Sequence, residues 1–169
     1  PPTLVSFAVS TDKTANIVSP EFKKAGNKAL LITVAYDENG LPKADALKEA
    51  FNLVTLLLRS KKAVSAYALG LGGLAEAILK MGIGNGLGFK FTEDLSMDQI
   101  FGYSYGGFLL EVDPDAPKPM DGNCACSEDF CKAQFIGEIT EEKAFVYKNE
   151  KLYLNELQAI YENKLESVY

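Results

Sequence analysis

Residues 63–81, AVSAYALGLGGLAEAILKM, decide the fold class of this chain. The first seven, Ala63 to Leu69, predict a β-strand, and the glycines from Gly70 to Gly73 end it. Apolar residues then recur at the three- and four-residue steps of a helix, at Leu74, Ala77, Ile78 and Met81. A strand followed by a tight turn and a helix predicts an α/β protein.

The residues before this stretch predict the same alternation. Lys28 to Tyr36 predicts a strand that ends in the turn Asp37–Gly40, and Pro42 suits the first turn of a helix. That helix should lay a broad apolar face on a sheet, formed by Leu47, Ala50, Phe51, Val54, Leu57 and Leu58. Thr3 to Ser10 is β-rich and partly alternating, so we expect the first strand there.

The residues after it predict shorter elements. Gly82, Gly84, Gly86 and Gly88 should carry the chain from a helix end into a strand that reaches about Phe91. Ser96 is expected to cap a short helix through Ile100, and Asn155 with Gln158 resembles a capping box for a last helix. That last helix would carry Leu157, Ile160, Tyr161 and Leu165 on one face. Further strands are expected at Gly106–Val112, Phe135–Ile139 and Ala144–Lys148, with a loop or insertion over 113–133.

These elements predict a single α/β (α+β) domain over residues 1–169, with a mixed β-sheet of about six strands and helices packed against it. The chain is 169 residues long and 47% hydrophobic, which is enough to fill a sizeable core. No internal repeat and no linker divides it.

The composition excludes several functions. Without histidine, the chain holds no Ser-His-Asp or Cys-His site and no His-ligated metal. Its net charge is −6, and Arg59 is the one arginine, so we expect no nucleic-acid partner. Residues 1–80 carry a net charge of +3 and residues 81–169 carry −9. The acidic half is either a solvated surface or an interface toward a basic partner.

Three cysteines lie close together, at Cys124, Cys126 and Cys131. An odd, clustered set is not typical of a secreted disulfide framework, and a single cluster is not typical of structural zinc. We therefore expect free or adventitiously oxidised thiols, no metal site and a cytoplasmic location. No apolar run reaches the roughly 18 residues of a membrane span, and no signal peptide is visible. The start at Pro1-Pro2 suggests a processed protein or a fragment.

The glycine turn is the sharpest candidate for a binding site. Backbone N–H groups of Gly72 and Gly73, at the start of a helix, suit a phosphate or nucleotide. The sequence has neither the Gly-Lys-Ser/Thr of a Walker A loop nor a complete dinucleotide fingerprint. Composition alone favours the other interpretation, a tight strand-to-helix turn packed against its neighbour. Asn85 is a weaker candidate, as a ligand contact or as a residue of a left-handed turn. Glu76 and Lys80, four apart, predict an exposed helix ion pair rather than a catalytic role.

Several short segments together resemble large-type phosphoribosylformylglycinamidine synthase. They are Pro1–Val9, Ser19–Lys28, Gly72–Ala77, Lys80-Met81 with Gly84-Asn85, Gly137–Thr140 and Lys164–Tyr169. The resemblance covers nearly the whole chain and is weakest over 113–133. It implies the C-terminal half of the second of two tandem aminoimidazole-ribonucleotide-synthetase-like units, and hence the fold of that superfamily's C-terminal domain.

The resemblance implies a function for the larger enzyme. Synthases of this family use ATP, with Mg, and glutamine to amidate formylglycinamide ribonucleotide in de novo purine biosynthesis. The glutaminase triad and the aspartate-rich nucleotide segment are missing from this chain. We therefore expect a fragment that has no catalytic residue, holds no cofactor by itself and is inactive alone. The implied partners are the N-terminal half of the same unit, the other tandem unit and the glutaminase domain.

Two interpretations of the domain follow. It contributes a phosphate-facing wall through Gly72 and Gly73, or it is a non-catalytic module that pairs with its sister half and supports the glutaminase. In either case, separation from its neighbours should expose apolar surface. We expect weak self-association through Thr3–Ser10 or through the aromatic residues Phe101, Tyr103, Tyr105 and Phe108.

Overall fold

A computed structural model of the chain describes residues 2–115 and 130–165. Seven strands and four helices make up the described fold. The strands are β1 Lys28–Val34, β2 Ala63–Ala68, β3 Gly88–Phe91, β4 Phe108–Val112, β5 Cys131–Thr140, β6 Ala144–Tyr147 and β7 Glu150–Tyr153. The helices are α1 Ala44–Arg59, α2 Gly73–Asn85, α3 Met97–Phe101 and α4 Leu154–Glu162, with short 3-10 turns at Thr14–Asn16 and Asn163–Leu165.

The strands form one mixed sheet in the order β2-β4-β1-β5-β3-β6-β7. Strand β1 lies in the interior of the sheet and pairs antiparallel with both β4 and β5, with Leu30 opposite Leu110 and Phe135. Among the described strands, β3 and β6 form the one parallel pair. The predicted α/β class is confirmed, with one more strand than the six expected.

Helices cover both faces of the sheet, and the side-chain alternation of the strands explains why. Leu30 and Ile32 point toward α1, which buries Leu53, Val54 and Leu57 against them. Ala29 and Leu31 point to the other face, where α2 and α3 pack. The predicted α2 positions, Leu74, Ala77, Ile78 and Met81, are all buried there.

Three sequence predictions are wrong. Thr3–Ser10 is not a strand: no described strand lies beside it to complete a ladder, and Leu4, Val5, Phe7 and Val9 are exposed. Pro42 precedes α1 by two residues and forms an isolated bridge with Tyr36 instead of entering the first turn. Asn155 does not cap α4, because β7 runs directly into that helix and the N-cap position falls on Tyr153.

The local predictions at Ser96 and Gly86 are confirmed. The Ser96 hydroxyl accepts from the Gln99 N–H, and the Gln99 side chain accepts from the Ser96 N–H, which is a complete capping box for α3. Gly86 ends α2 in the left-handed conformation, with φ +64°, and the chain enters β3 two residues later.

The cysteines lie at the edge of the described structure. Cys131 opens β5, inside the range predicted as a loop, is buried and is disulfide-bonded. Cys124 and Cys126 lie outside the described residues. Within the described part, no helix is long and apolar enough to cross a membrane.

Candidate functional site

The glycine turn between β2 and α2 is held at one end of the sheet by a shared carbonyl. The Gly70 carbonyl oxygen accepts from the Gly73 N–H and from the Ser104 N–H, each at 3.2 Å. Ser104 belongs to the loop that leads into β4, the strand beside β2. The turn and this loop are thus bonded to each other where β2 ends.

Gly73, the first residue of α2, must be glycine for packing reasons. Its φ is +58°, and a Cβ built on it would lie 2.1 Å from the carbonyl oxygen of Gly102. A left-handed conformation and a close backbone approach each favour glycine. The interpretation as a tight packed turn therefore accounts for Gly73, whose N–H is also bonded within the turn.

Gly72 is bonded to a side chain of the helix that it precedes. Its N–H donates to Oε2 of Glu76 at 3.1 Å, and a Cβ at Gly72 would meet that same oxygen. The carboxylate of Glu76 therefore lies where an anion held by Gly72 would lie. A phosphate bound there would displace this carboxylate, and Glu76 would retain a second partner.

That second partner is Lys80, one helical turn later. Lys80 Nζ is 2.5 Å from Oε1 of Glu76, and it lies 6.0 Å from the ring centroid of Tyr67 on β2. The hydrogen bond from Lys80 is the main cause that keeps the pKa of Glu76 below its usual value, and the same bond raises the pKa of Lys80. The predicted ion pair is present, and it places a cation beside the glycine turn.

Asn85 lies at the far end of α2. Its Nδ2 donates to the Phe22 carbonyl oxygen at 2.8 Å and so fastens the segment before β1 to the helix. A helix of 13 residues separates it from Gly73 by roughly 18 Å. The structure brings Gly72 and Gly73 together and leaves Asn85 apart, so the three do not form one site.

A cluster of tyrosines surrounds the same end of the sheet. The Tyr36 hydroxyl donates to the Tyr105 carbonyl oxygen at 2.8 Å, and the Tyr36 and Tyr103 rings meet edge to face at 6.2 Å. Burial raises the pKa of Tyr36. The sequence pattern marked Tyr103 and Tyr105 as exposed aromatics but gave no signal for Tyr36 or Tyr67, which lie within ordinary strand and turn segments.

An apolar cavity of about 400 Å³ lies on the α2 side of the sheet, and Glu76 stands on its wall. Apolar side chains of α2, β3, α3, β6, β7 and α4 supply most of the remaining surface. They include Ile78, Phe91, Ile100, Phe101, Phe145 and Leu152. The sequence does not predict this cavity. Strand β7 forms one side of it, and β7 lacks the alternation of apolar and polar residues that would predict a strand there.

The described residues offer no group of three or more acidic or cysteine side chains that could hold a metal ion. The chemistry available at the glycine turn is therefore that of hydrogen bonding and charge: one backbone N–H, one carboxylate and one ammonium group.

No family model matches the chain. Solved structures of PurL and of HypE do resemble it, and the likeness shows a shared α/β fold. This confirms the predicted fold.

Among these structures are two of PurL from Thermotoga maritima. Phosphoribosylformylglycinamidine synthase II matches with a TM-score of 0.68 and 14% identity, over 84% of this chain and 27% of that one. PurL complexed with FGAR matches with a TM-score of 0.69 and 13% identity, over 85% and 30%. The hydrogenase maturation protein HypE from E. coli matches with a TM-score of 0.56 and 15% identity, over 81% and 51%. The chain thus spans less than a third of the PurL chains.

Proposed function

We propose that this chain is the C-terminal half of the second aminoimidazole-ribonucleotide-synthetase-like unit of a large-type phosphoribosylformylglycinamidine synthase. In the complete enzyme it would contribute to the ATP- and glutamine-dependent amidation of formylglycinamide ribonucleotide. The observation that carries the proposal is the glycine turn at the end of β2, set in a fold that PurL shares. The ordered sequence segments that resemble the family support it independently.

The proposed role of the turn is to hold a phosphate group. The Gly72 N–H points to the start of α2, where the helix dipole also favours an anion. When a phosphate enters, Glu76 would release Gly72 and keep its bond to Lys80, while Lys80 would attract the phosphate. Gly73 shapes the turn, and Asn85 fixes the opposite end of the helix.

The nucleotide and metal belong elsewhere in this proposal. PurL has been solved with ATP, AMPPCP and ADP, which supports nucleotide binding by that protein. The described residues of this chain supply no carboxylate cluster for Mg. In this proposal ATP and Mg are held by other parts of the complete enzyme. We expect the isolated chain to show no ATP hydrolysis and no amidation.

A matched pair of Gly72 variants tests the phosphate role in the enzyme reconstituted from this chain and its remaining domains. Gly72 has an ordinary φ of −81°, but a Cβ there would lie 2.6 Å from the Glu76 Cβ, so Gly72→Asp shifts the start of α2 as well as repelling phosphate. Gly72→Ala makes the same Cβ contact without the charge, so the difference between the two variants measures the effect of the charge. We expect Gly72→Asp to raise the KM for the ribonucleotide about tenfold or more, equivalent to ~1.4 kcal/mol. Equal kinetics for the two well-folded variants would exclude the role.

A second function is favoured by the bonding within the turn. The N–H groups of Gly72 and Gly73 both have protein partners, and Gly73 packs against Gly102. In this alternative the domain would be a structural module that pairs with its sister half and supports the glutaminase domain. PurL within the PurLQS structure and HypE bound to HypF show that proteins of this fold form assemblies. Normal kinetics of Gly72→Asp, with assembly lost when this chain is omitted, would favour this function.

A further inference from the structure

The segment Leu4–Val9 leaves large apolar side chains in water. Leu4 is 95% exposed, Val5 79%, Phe7 88% and Val9 77%. In an extended chain, successive side chains alternate between two sides, so Val5, Phe7 and Val9 share one side. This pattern is typical of a strand with one apolar face that is buried in the folded protein.

The backbone of the same segment is also unused. Its residues carry no assigned strand or turn, and within the described chain no backbone hydrogen bond involves Leu4 to Val9. A row of free N–H and C=O groups next to an apolar face is suited to an open sheet edge, which satisfies both at once.

The base of the segment lies beside one particular edge of the sheet. Asp12 forms an ion pair with Arg59 at 3.4 Å, and Lys61 Nζ donates to the Ala15 carbonyl oxygen. Arg59 and Lys61 immediately precede β2, which begins at Ala63. A strand formed by Leu4–Val9 and laid along β2 of its own copy would therefore run toward the start of β2, which is the antiparallel direction. A strand that takes the same position in a second copy has the same direction.

The two edge strands of the described sheet, β2 and β7, differ in whether they carry charges that discourage the addition of another strand. Strand β7 carries Glu150 and Lys151, and charges of this kind discourage strand addition at an edge. Strand β2, AVSAYA, has no charged residue in six positions. The uncharged edge and the uncharged segment Leu4–Val9 fit each other.

We propose that Leu4–Val9 of one copy adds as an antiparallel strand to β2 of a second copy, and that the exchange is reciprocal. Each copy has one Leu4–Val9 segment and one open β2 edge. Although Asp12 and Ala15 lie close to the start of β2, Leu4–Val9 does not pair with β2 of the same copy. A reciprocal exchange uses both segments and both edges, so association stops at a two-fold dimer.

Sedimentation velocity over a concentration series tests the proposal with the whole chain. We expect a monomer–dimer equilibrium. Phe7→Asp should weaken the dimer about tenfold or more, because a charge would replace an aromatic ring that the proposed dimer buries. The control is Ile160→Asp, which adds the same charge at an exposed apolar residue of α4. A monomer at all concentrations, or equal weakening by the two variants, would overturn the proposal.

Hydrogen exchange locates the contact. In the dimer, the amides of Leu4–Val9 and Ala63–Ala68 should exchange at least about tenfold more slowly than in the monomer. The exchange rates of the Glu150–Tyr153 amides should be unchanged. A chain that lacks residues 1–10 should be monomeric, and a peptide of residues 2–11 should restore protection at β2. Protection at β7 instead, or protection of β2 in a monomer, would rule out exchange between copies.

Discussion

The Cα of Gly73 faces the carbonyl oxygen of Gly102 so closely that a Cβ would stand 2.1 Å from it. This contact joins the start of α2 to the end of α3 and defines the shape of the glycine turn. It also means that variants at Gly73 disturb the fold, so activity measurements on them do not isolate phosphate binding. A Cβ at Gly72 would lie 2.6 Å from the Glu76 Cβ, so functional tests there compare Gly72→Asp with Gly72→Ala, which makes the same contact without the charge.

The first prediction concerns the stability of the turn. Gly73→Ala should lower the free energy of unfolding by roughly 2–4 kcal/mol, because alanine opposes the φ of +58° and collides with Gly102. Gly70→Ala, in open space, should change it by less than ~0.5 kcal/mol. Urea unfolding at neutral pH gives both values. Similar stabilities for the two variants would contradict the described packing.

The second prediction concerns Glu111, a fully buried carboxylate on β4. It accepts from the backbone N–H groups of Lys23 and Lys24, at 2.6 and 3.0 Å, from Asn27 Nδ2 at 2.7 Å and from the Ser65 hydroxyl at 3.1 Å. Glu111→Ala would leave these donors without their acceptor and should cost roughly 3 kcal/mol or more of unfolding free energy. The segment before β1 should also lose its protection from hydrogen exchange.

The control for Glu111 is Glu138, an exposed glutamate on β5. Glu138→Ala should change the unfolding free energy by no more than ~0.5 kcal/mol. Glu111→Gln, which keeps one acceptor oxygen, should fall between the two alanine variants. If Glu111→Ala were as stable as Glu138→Ala, the hydrogen bonds around Glu111 would contribute nothing to the fold.

The sequence predicted most of the architecture because the elements carry strong periodic patterns. Helices α1 and α2 have apolar residues at helical spacing, and β1 is a nearly continuous apolar run, as a central strand should be. Strand β7 is not predicted from the sequence. All four of its residues are exposed at the edge of the sheet, so it shows no alternation of buried apolar and exposed polar residues. Thr3–Ser10 was predicted as a strand on local pattern, but a strand also requires a neighbour.

The candidate site was predicted less completely, for a physical reason. The glycine turn is a local feature, so its position and its contact with Glu76 follow from spacing along one helix. Tyr36, Tyr67 and the buried Glu111 acquire their partners through pairing between distant strands. Such contacts span 84 residues for Asn27 and Glu111, and no short sequence window contains both members.

The third prediction is a pH dependence at Glu76. Because Lys80 keeps the pKa of Glu76 below 4.5 in the folded chain, the ionised carboxylate stabilises the fold above that pH. This stabilisation is lost as the pH falls through the lowered folded value. Both side chains are about one-third exposed, so the pair is worth only ~0.5 kcal/mol. Glu76→Gln should therefore be less stable than the original chain at pH 7, and the difference should shrink as the pH falls below 4.5, measured by urea unfolding.

The fourth prediction compares two residues whose sequence context suggested helix caps. Ser96 caps α3 with a complete capping box, so Ser96→Ala should cost about 1 kcal/mol of unfolding free energy. Asn155 is the second residue of α4, is exposed, and has no capping bond, so Asn155→Ala should change it by less than ~0.5 kcal/mol. Thermal unfolding of both variants at one pH provides the comparison. If Asn155→Ala lost more unfolding free energy than Ser96→Ala, Asn155 would be the N-cap of α4. Helix α4 would then begin after Asn155, and β7 would not run directly into it.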